Sequence, residues 1–519
     1  MALRGARTIS VLTVGAVTTV MAALTPATAF AAGDPLQKYA QQKLRWERCE
    51  AGGPAGFECA KVKVPLNYSD PGGRTIDLAI SRIKAGNAKE RHGVLLMNSG
   101  GPGIESLTMP LGMEPRLSAE VRARFDLIGF DPRGVGQSAP ISCGLTADEM
   151  TSYHPHTART FPKDVARARS VADKCWAKAG DVLPHLTTRN TARDMDIVRA
   201  ALRERKISYF GYSYGTYLGA VYTQMFPRRS DRFVLDSALD PKLVWRGSLR
   251  GVAPGAELAF TRWTEWAAAR HATYGLGPTP EKVRKAYWDL VARADRTPVD
   301  TTGGAVDGGY IRSQYGAFVG VRTVTPWIVA LKASAAGGPP APAGPAASPV
   351  TAGAVAPESA PVRSADARAK DGAFSADVPV DNQPAVTWAT FCGDTRSWPR
   401  DPEQYRRDVL RDRAKYPLAG DLGAGVQPCA FWKSAAGEPA TVVSNDAHAL
   451  IVQNEWDPQA TLAMAQGMRR ALHGARMVTV AGGEGHGAVV AGPSCADAAV
   501  TRYLAQDRLP ANDYACGAS

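Results

Sequence analysis

A serine framed by glycines, Gly211-Tyr212-Ser213-Tyr214-Gly215, stands between a strand-like run, Ile207-Ser208-Tyr209-Phe210, and a helix-like stretch from Thr216 to Phe226. A chain that turns from strand into helix within so few residues leaves no room for side chains on either side of the serine, which is why glycine occupies both places. The turn lifts the hydroxyl clear of the sheet edge, where a substrate can reach it. The same five residues also fit an ordinary loop serine ahead of a helix, so the surrounding pattern decides between the two.

That pattern is alternating. Val62-Lys63-Val64-Pro65-Leu66 and Ile76-Asp77-Leu78-Ala79-Ile80 flank Asp70-Pro71-Gly72-Gly73 and predict a β-hairpin. Short apolar runs follow at Val94 to Met97, Leu127 to Phe130, Ile207 to Phe210 and Phe233 to Leu235, each closed by Gly, Pro, Asn or Asp, as buried parallel strands are. Between them Met195, Val198 and Leu202 fall at helical spacing within Thr191 to Arg203. Strand and helix in alternation predict a mostly parallel, doubly wound α/β sheet built from residues 33–240 and resumed over 436–519, where Ala449 to Val452 and Met477 to Val480 are again strand-like.

The intervening 241–435 reads differently. Long helical stretches carry Trp263, Trp266, Tyr287, Trp288 and Trp327, which such helices ordinarily bury in a core. Residues 333–368 are dominated by Ala, Pro, Gly and Ser and are expected to form a loop without a core of its own. The insertion is expected to be a mainly helical cap over the sheet.

Residues 1–32 read as an export signal, with Arg4 and Arg7, an apolar stretch from Ile9 to Leu24, and an Ala-x-Ala site at Ala27-Thr28-Ala29. The mature chain is expected to be secreted, without a membrane anchor after cleavage. Eight cysteines fit an oxidising destination, and their order suggests local pairs: Cys49 with Cys59, Cys143 with Cys175, Cys392 with Cys429, Cys495 with Cys516. No Cys-x-x-Cys or clustered His favours zinc instead, so no metal is expected. The net charge of +12 is spread among acidic residues rather than gathered in a basic run, which argues against nucleic-acid binding. A monomer is expected.

A serine hydroxyl needs a base to take its proton and an acid to fix that base. When the serine sits on such an elbow, the acid and the histidine follow in that order, each on a loop after a strand. Asp457, in Asn454-Glu455-Trp456-Asp457-Pro458, and His486, in Gly482-Gly483-Glu484-Gly485-His486-Gly487, occupy those places. Asp457 also suits a cap for the helical Ala460 to Arg470, and Glu455 is a rival acid. His154, His156 and His448 lie on no comparable loop. The oxyanion of acyl transfer needs preorganised N–H donors. Tyr214 would supply one, and Gly101, in Asn98-Ser99-Gly100-Gly101-Pro102-Gly103, the other.

Taken together, Gly100 to Gly103, Gly129-Phe130-Asp131-Pro132-Arg133-Gly134-Val135-Gly136, Gly211 to Leu218, Leu235-Asp236 with Asp240-Pro241, and the late Asp457 and His486 make the chain resemble the secreted actinobacterial tripeptidyl aminopeptidases, a prolyl-aminopeptidase-like branch of the α/β-hydrolase fold. The resemblance implies a serine exopeptidase that needs no cofactor, acts under a helical cap, and cleaves short peptides, tripeptides among them, from substrates with free N-termini. The chain departs from the usual pattern at Ile104-Glu105-Ser106 and Asp457-Pro458-Gln459. A substrate ammonium calls for a carboxylate, for which Glu105 and Glu455 are candidates, each equally readable as a solvated loop glutamate. A secreted esterase on the same fold is the alternative, and a silent binding protein a more distant one.

Overall fold

The computed structural model describes residues 33–50, 53–150, 159–345, 374, 377–433, 437–490 and 492–517. The export signal at 1–32, His154, His156 and residues 346–368 of the Ala/Pro-rich segment lie outside them.

Ten strands form one sheet: β1 (Glu47–Arg48), β2 (Phe57–Pro65), β3 (Thr75–Ile83), β4 (Gly93–Asn98), β5 (Phe125–Phe130), β6 (Ile207–Tyr212), β7 (Ser230–Asp236), and, after the small hairpin β8 (Val299–Thr301) and β9 (Gly304–Val306), β10 (Ala449–Trp456), β11 (Arg476–Glu484) and β12 (Tyr514–Gly517). Their order is β1-β2-β3-β5-β4-β6-β7-β10-β11-β12. The β1–β2, β2–β3 and β3–β5 pairs are antiparallel, and every pair from β5–β4 to β11–β12 is parallel. β2 and β3 are the expected hairpin, turning through Asp70 to Gly73.

The central strands are continuous apolar runs because both faces of the sheet are covered. Alternate residues divide between the two sides. Val94, Leu96, Ile128, Tyr209, Phe233, Leu235 and Ile451 join one core, with the helices Phe161–Ala179, Thr188–Ala201 and Tyr214–Met225. Leu95, Met97, Leu127, Phe210, Val234, Leu450 and Val478 join the other, with the helix Asp497–Gln506. This is the α/β-hydrolase architecture.

A separate apolar cluster lies in the insertion, between the helices Arg246–Ala268, Pro280–Arg296 and Val321–Ala335, with Phe260, Trp263, Tyr287, Phe318 and Trp327 at its centre. Trp266 and Trp288 only border it. The insertion is not one body, however. The helix Asn382–Gly393 and residues up to Trp432 pack into the sheet's own core, whereas Leu418, Ala419 and Leu422 return to the cap cluster. The Ala/Pro-rich loop also starts later than its composition suggests, because the helix runs through Ala335 and Ala341, 1% exposed, bridges to Thr301. The backbone pairing of Ala341 with the hairpin and the bonds of Tyr310 Oη, Trp327 Nε1 and Thr302 Oγ1 to Ala343 and Pro342 order that first part.

Four disulfides join Cys49–Cys59, Cys143–Cys175, Cys392–Cys429 and Cys495–Cys516. Among the described residues no helix is long and apolar enough to cross a membrane. Both facts are consistent with a secreted protein.

One buried ion pair ties the hairpin to the helical layer. Arg133 donates through Nε and Nη2 to both carboxylate oxygens of Asp194, at 2.7 and 2.6 Å, and through its remaining hydrogens to the carbonyls of Pro65, Leu66 and His185. Tyr68 Oη donates to the same carboxylate at 2.7 Å. Removing one partner strands the other charge in the interior. Asp194→Ala is expected to destabilise the protein by about 3–5 kcal/mol, read as a lower denaturant midpoint at unchanged slope; a loss under about 1 kcal/mol would mean that water reaches Arg133.

Candidate active site

Ser213 sits between β6 and the helix Tyr214–Met225 with φ 57° and ψ −122°, a conformation that a side-chain-bearing residue adopts only when its surroundings impose it. Those surroundings are tight. A Cβ on Gly211 would lie 2.5 Å from the carbonyl oxygen of Gly215, and one on Gly215 would lie 2.8 Å from that of Asn98. The Ser213 N–H donates to the carbonyl of Asp236 at the end of β7 (3.0 Å), while the side chain does not cap the helix.

Asp457 follows β10 and is 4% exposed. Its Oδ1 accepts the N–H groups of Gln459 and Ala460 at 2.8 and 2.9 Å, and its carboxylate faces His486 Nδ1 at 2.8 Å from Oδ2 and 3.0 Å from Oδ1. The Nδ1 proton therefore belongs on the aspartate side, leaving Nε2 as an acceptor. Nε2 is buried and makes no hydrogen bond among the described residues. Next to the serine, the Tyr212 ring lies 4.7 Å from the imidazole, and Tyr212 Oη donates to the His486 carbonyl at 3.2 Å. The elbow and the histidine loop thus touch.

The histidine loop is held from below. Asp236 accepts the N–H groups of Ala488, Val489 and Val490 at 2.7, 2.9 and 3.1 Å, and Ser237 Oγ accepts that of Gly487 at 2.8 Å. Asn454 Nδ2 donates to the carbonyls of Gly485 and Gly487. Burial raises the pKa of Asp236, against the pull of its three N–H donors.

The glycine turn after β4 comes against the elbow. A Cβ on Gly100, whose φ is +94°, would lie 2.6 Å from the Tyr212 carbonyl oxygen and 3.0 Å from Ser213 Cβ. Gly100 N–H is spent on Asn98 Oδ1 (3.1 Å), whereas the N–H groups of Gly101 and Tyr214 have no hydrogen-bond partner among the described residues. Behind the turn, Ser106 Oγ accepts the Ser99 N–H at 2.9 Å, and the N–H groups of Ser106 and Leu107 go to Asp131 Oδ1 at 2.8 and 2.9 Å. Two unpaired amides on the segments that meet at a serine, with an unpaired imidazole nitrogen on the adjoining loop, are groups that can stabilise an oxyanion and move a proton.

The two glutamates differ. Glu455 accepts the Gly482 N–H at 2.7 Å and lies near Arg262, so the end of the sheet occupies its carboxylate. Glu105 is exposed beside the glycine turn. Among the described residues no group of three or more His, Cys, Asp or Glu side chains is placed to hold a metal ion.

Comparison with known proteins agrees with this architecture. Residues 93–277 match the family described as alpha/beta hydrolase fold, and residues 416–516 match that described as TAP-like protein. The tripeptidyl aminopeptidase of Streptomyces lividans is 32% identical over 492 residues, 92% of this chain and 87% of its own length. The chain belongs to the tripeptidyl aminopeptidase family. Another relative in that family's reach, the serine protease Hip1 of Mycobacterium tuberculosis, is 35% identical over 48% of this chain and 50% of its own. Carboxylesterase B of the same organism is 29% identical over 88% of this chain and 86% of its own. The protein is a serine hydrolase.

Sequence reasoning passed over Asn98, Ser106, Asp131, Asp236 and Ser237 as site residues. The available signal was a carboxylate just past two buried strands, Asp131 after Phe130 and Asp236 after Leu235, where a charge survives burial only if something binds it. Burial pushes the Asp131 carboxyl up to about 7, its N–H donors opposing the rise and the charge of Glu105 adding to it. The folded protein thus holds this proton to a higher pH than the unfolded chain does, so the group's stabilising contribution is complete in acid and is lost as pH climbs towards about 7. Asp131→Asn does not titrate. The melting temperature of the variant minus that of the parent is therefore expected to rise from pH 4 to pH 8, and a flat difference would show that Asp131 ionises normally.

Proposed function

We propose that the chain is a secreted serine exopeptidase releasing short peptides, tripeptides among them, from free N-termini. The observation that carries this reading is the Asp457–His486 pair, its outer nitrogen unpaired, packed against the serine elbow in a chain similar over 92% of its length to a tripeptidyl aminopeptidase. Ser213 Oγ attacks the scissile carbonyl as His486 Nε2 takes its proton, and Asp457 keeps the imidazole in the required tautomer and orientation. Gly101 and Tyr214 N–H groups receive the oxyanion. The imidazolium then returns its proton to the departing amine, and water, activated by the same histidine, hydrolyses the acyl-enzyme. No step calls for a cofactor.

An exopeptidase must distinguish a terminal ammonium from a continuing chain. Glu105 is the better anchor, because it stands exposed beside the oxyanion turn while Glu455 is engaged with Gly482. The likeness to a carboxylesterase supports a second reading, hydrolysis of simple esters by the same serine.

Ser213→Ala is expected to lower turnover of a tripeptidyl anilide by at least about 10³-fold; activity within tenfold of the parent would remove Ser213 from the mechanism. Acetylating the substrate amine is expected to lower kcat/KM by about tenfold or more, the effect of losing a charge-assisted hydrogen bond. Equal rates on free and acetylated anilides, together with faster cleavage of simple esters, would favour the esterase.

A further inference from the structure

The helix Asn382–Gly393 belongs to the insertion by sequence but packs on the sheet, and its contacts reach both segments that carry the proposed oxyanion amides, the turn at Gly101 and the residue Tyr214. Its start is fixed to the loop after β5. Asp381 accepts from Ser142 Oγ and from the N–H groups of Cys143 and Leu145 at 2.7, 2.9 and 3.0 Å, and Asn382 Nδ2 donates to the carbonyls of Gly134 and Ile141 at 2.8 and 2.7 Å. One turn further on, Thr387 Oγ1 lies 2.6 Å from the carbonyl oxygen of Pro102, the residue after Gly101, and 2.8 Å from that of Gln383 in its own helix, so its one hydrogen is shared between the two. Gly103 packs so closely on the same helix that a Cβ there would lie 3.3 Å from Gln383 Cα.

The other end reaches Tyr214. Asp394 accepts the Thr188 N–H at 2.7 Å, Thr188 Oγ1 at 2.6 Å and Trp245 Nε1 at 2.9 Å. Thr188 has one hydroxyl hydrogen and gives it to Asp394, so the Tyr214 hydroxyl, 2.9 Å away, donates to Thr188. Phe391 stacks on the Trp245 ring at 4.7 Å, and Trp245 packs in turn against Tyr214 at 5.7 Å. The disulfide Cys392–Cys429 fastens this end.

We infer that this one helix sets the oxyanion hole from both sides, with Thr387 positioning the Gly101 turn and Asp394 positioning Tyr214. The inference rests on the acyl-transfer reading above and adds two positioning residues to it. Neither touches the substrate. Each acts through the aim of an amide whose worth depends on fractions of an ångström.

The test uses the full-length enzyme and a tripeptidyl anilide, with a peptide aldehyde as the probe of oxyanion binding. Thr387→Val keeps the shape of the side chain and removes its hydrogen bond. It is expected to lower kcat about tenfold, short of the ~10²–10³ that follows deletion of a donor, with KM within twofold. Aldehyde inhibition should weaken by the same factor as kcat, and Thr387→Ser should restore both. Asp394→Asn, which sets an amide against the Trp245 N–H, is expected to show the same split between kcat and KM. Unchanged kcat and aldehyde inhibition in Thr387→Val overturn the inference, as does a loss that Thr387→Ser fails to recover or one confined to KM. Fluorophosphonate labelling separates this from the reading beneath it: a labelled parent with fully active variants sinks only the positioning role, whereas an unlabelled parent sinks the nucleophile itself.

Discussion

Backbone that turns sharply inside a protein must find partners for its N–H groups, and at the carboxyl edge of this sheet aspartates supply them. Asp131 takes the amides of Ser106, Leu107 and Gln137; Asp236 takes those of Ala488 to Val490; Asp381 takes those of Cys143 and Leu145, and Asp457 those of its own turn at Gln459 and Ala460. Without these bonds the loops would need either regular secondary structure, which cannot make such turns, or water, which has little access to these buried carboxylates. The arrangement has an electrostatic cost, visible in the raised pKa values of Asp131, Asp236 and Asp394, in each of which burial outweighs the donors. It is offset because each of these carboxylates holds three donors at once.

The alternation of strand and helix was legible because its signals are local. Apolar runs closed by Gly, Asn or Asp mark β4 to β7 and β10 to β11 to within a few residues, and the serine elbow announces its own turn. Contacts that depend on which distant segments meet were not legible. Nothing in Asp236 as a letter says that it will bind residues more than 250 positions later, and nothing in Thr387 says that it will meet Pro102. Composition also misled at Ala333 to Gly344, where the low apolar content suggested a free loop although Ala341 is buried against Thr301. Backbone pairing of Ala341 with a ready-made hairpin, together with bonds from Tyr310, Trp327 and Thr302 to Ala343 and Pro342, orders a segment that has no periodicity of its own.

The division of the insertion follows from the same physics. Its first helices bury aromatic faces against one another and form a cluster of their own, which borders the sheet at Trp456 and takes in Met464 from the helix that follows. The helix Asn382–Gly393 buries Ala385, Val386, Trp388 and Ala389 against the sheet's core instead, and polar caps at both ends lock its register to the loops beneath. The insertion therefore contains both a helical cluster of its own and a helix that belongs to the sheet's core.

Asp457 draws these threads together. As sequence, it was readable either as a cap ahead of the following helix or as the partner of a histidine, and the two seemed to compete. The structure decides between them: the helix runs over Leu462–Ala471 behind Thr461, so Asp457 does not cap it, and the amides of Gln459 and Ala460 bind Oδ1 in a turn ahead of that helix, which orients the carboxylate and leaves Oδ2 facing His486 Nδ1 at 2.8 Å. A carboxylate that must hold an imidazole in one orientation cannot be left to rotate about its own χ2, and the turn it forms with its neighbours removes that freedom. Glu455, the rival acid, has one more rotatable bond, and its carboxylate accepts the Gly482 N–H of β11. The shorter side chain anchored by its own turn is the one that can keep a histidine's tautomer fixed through a catalytic cycle.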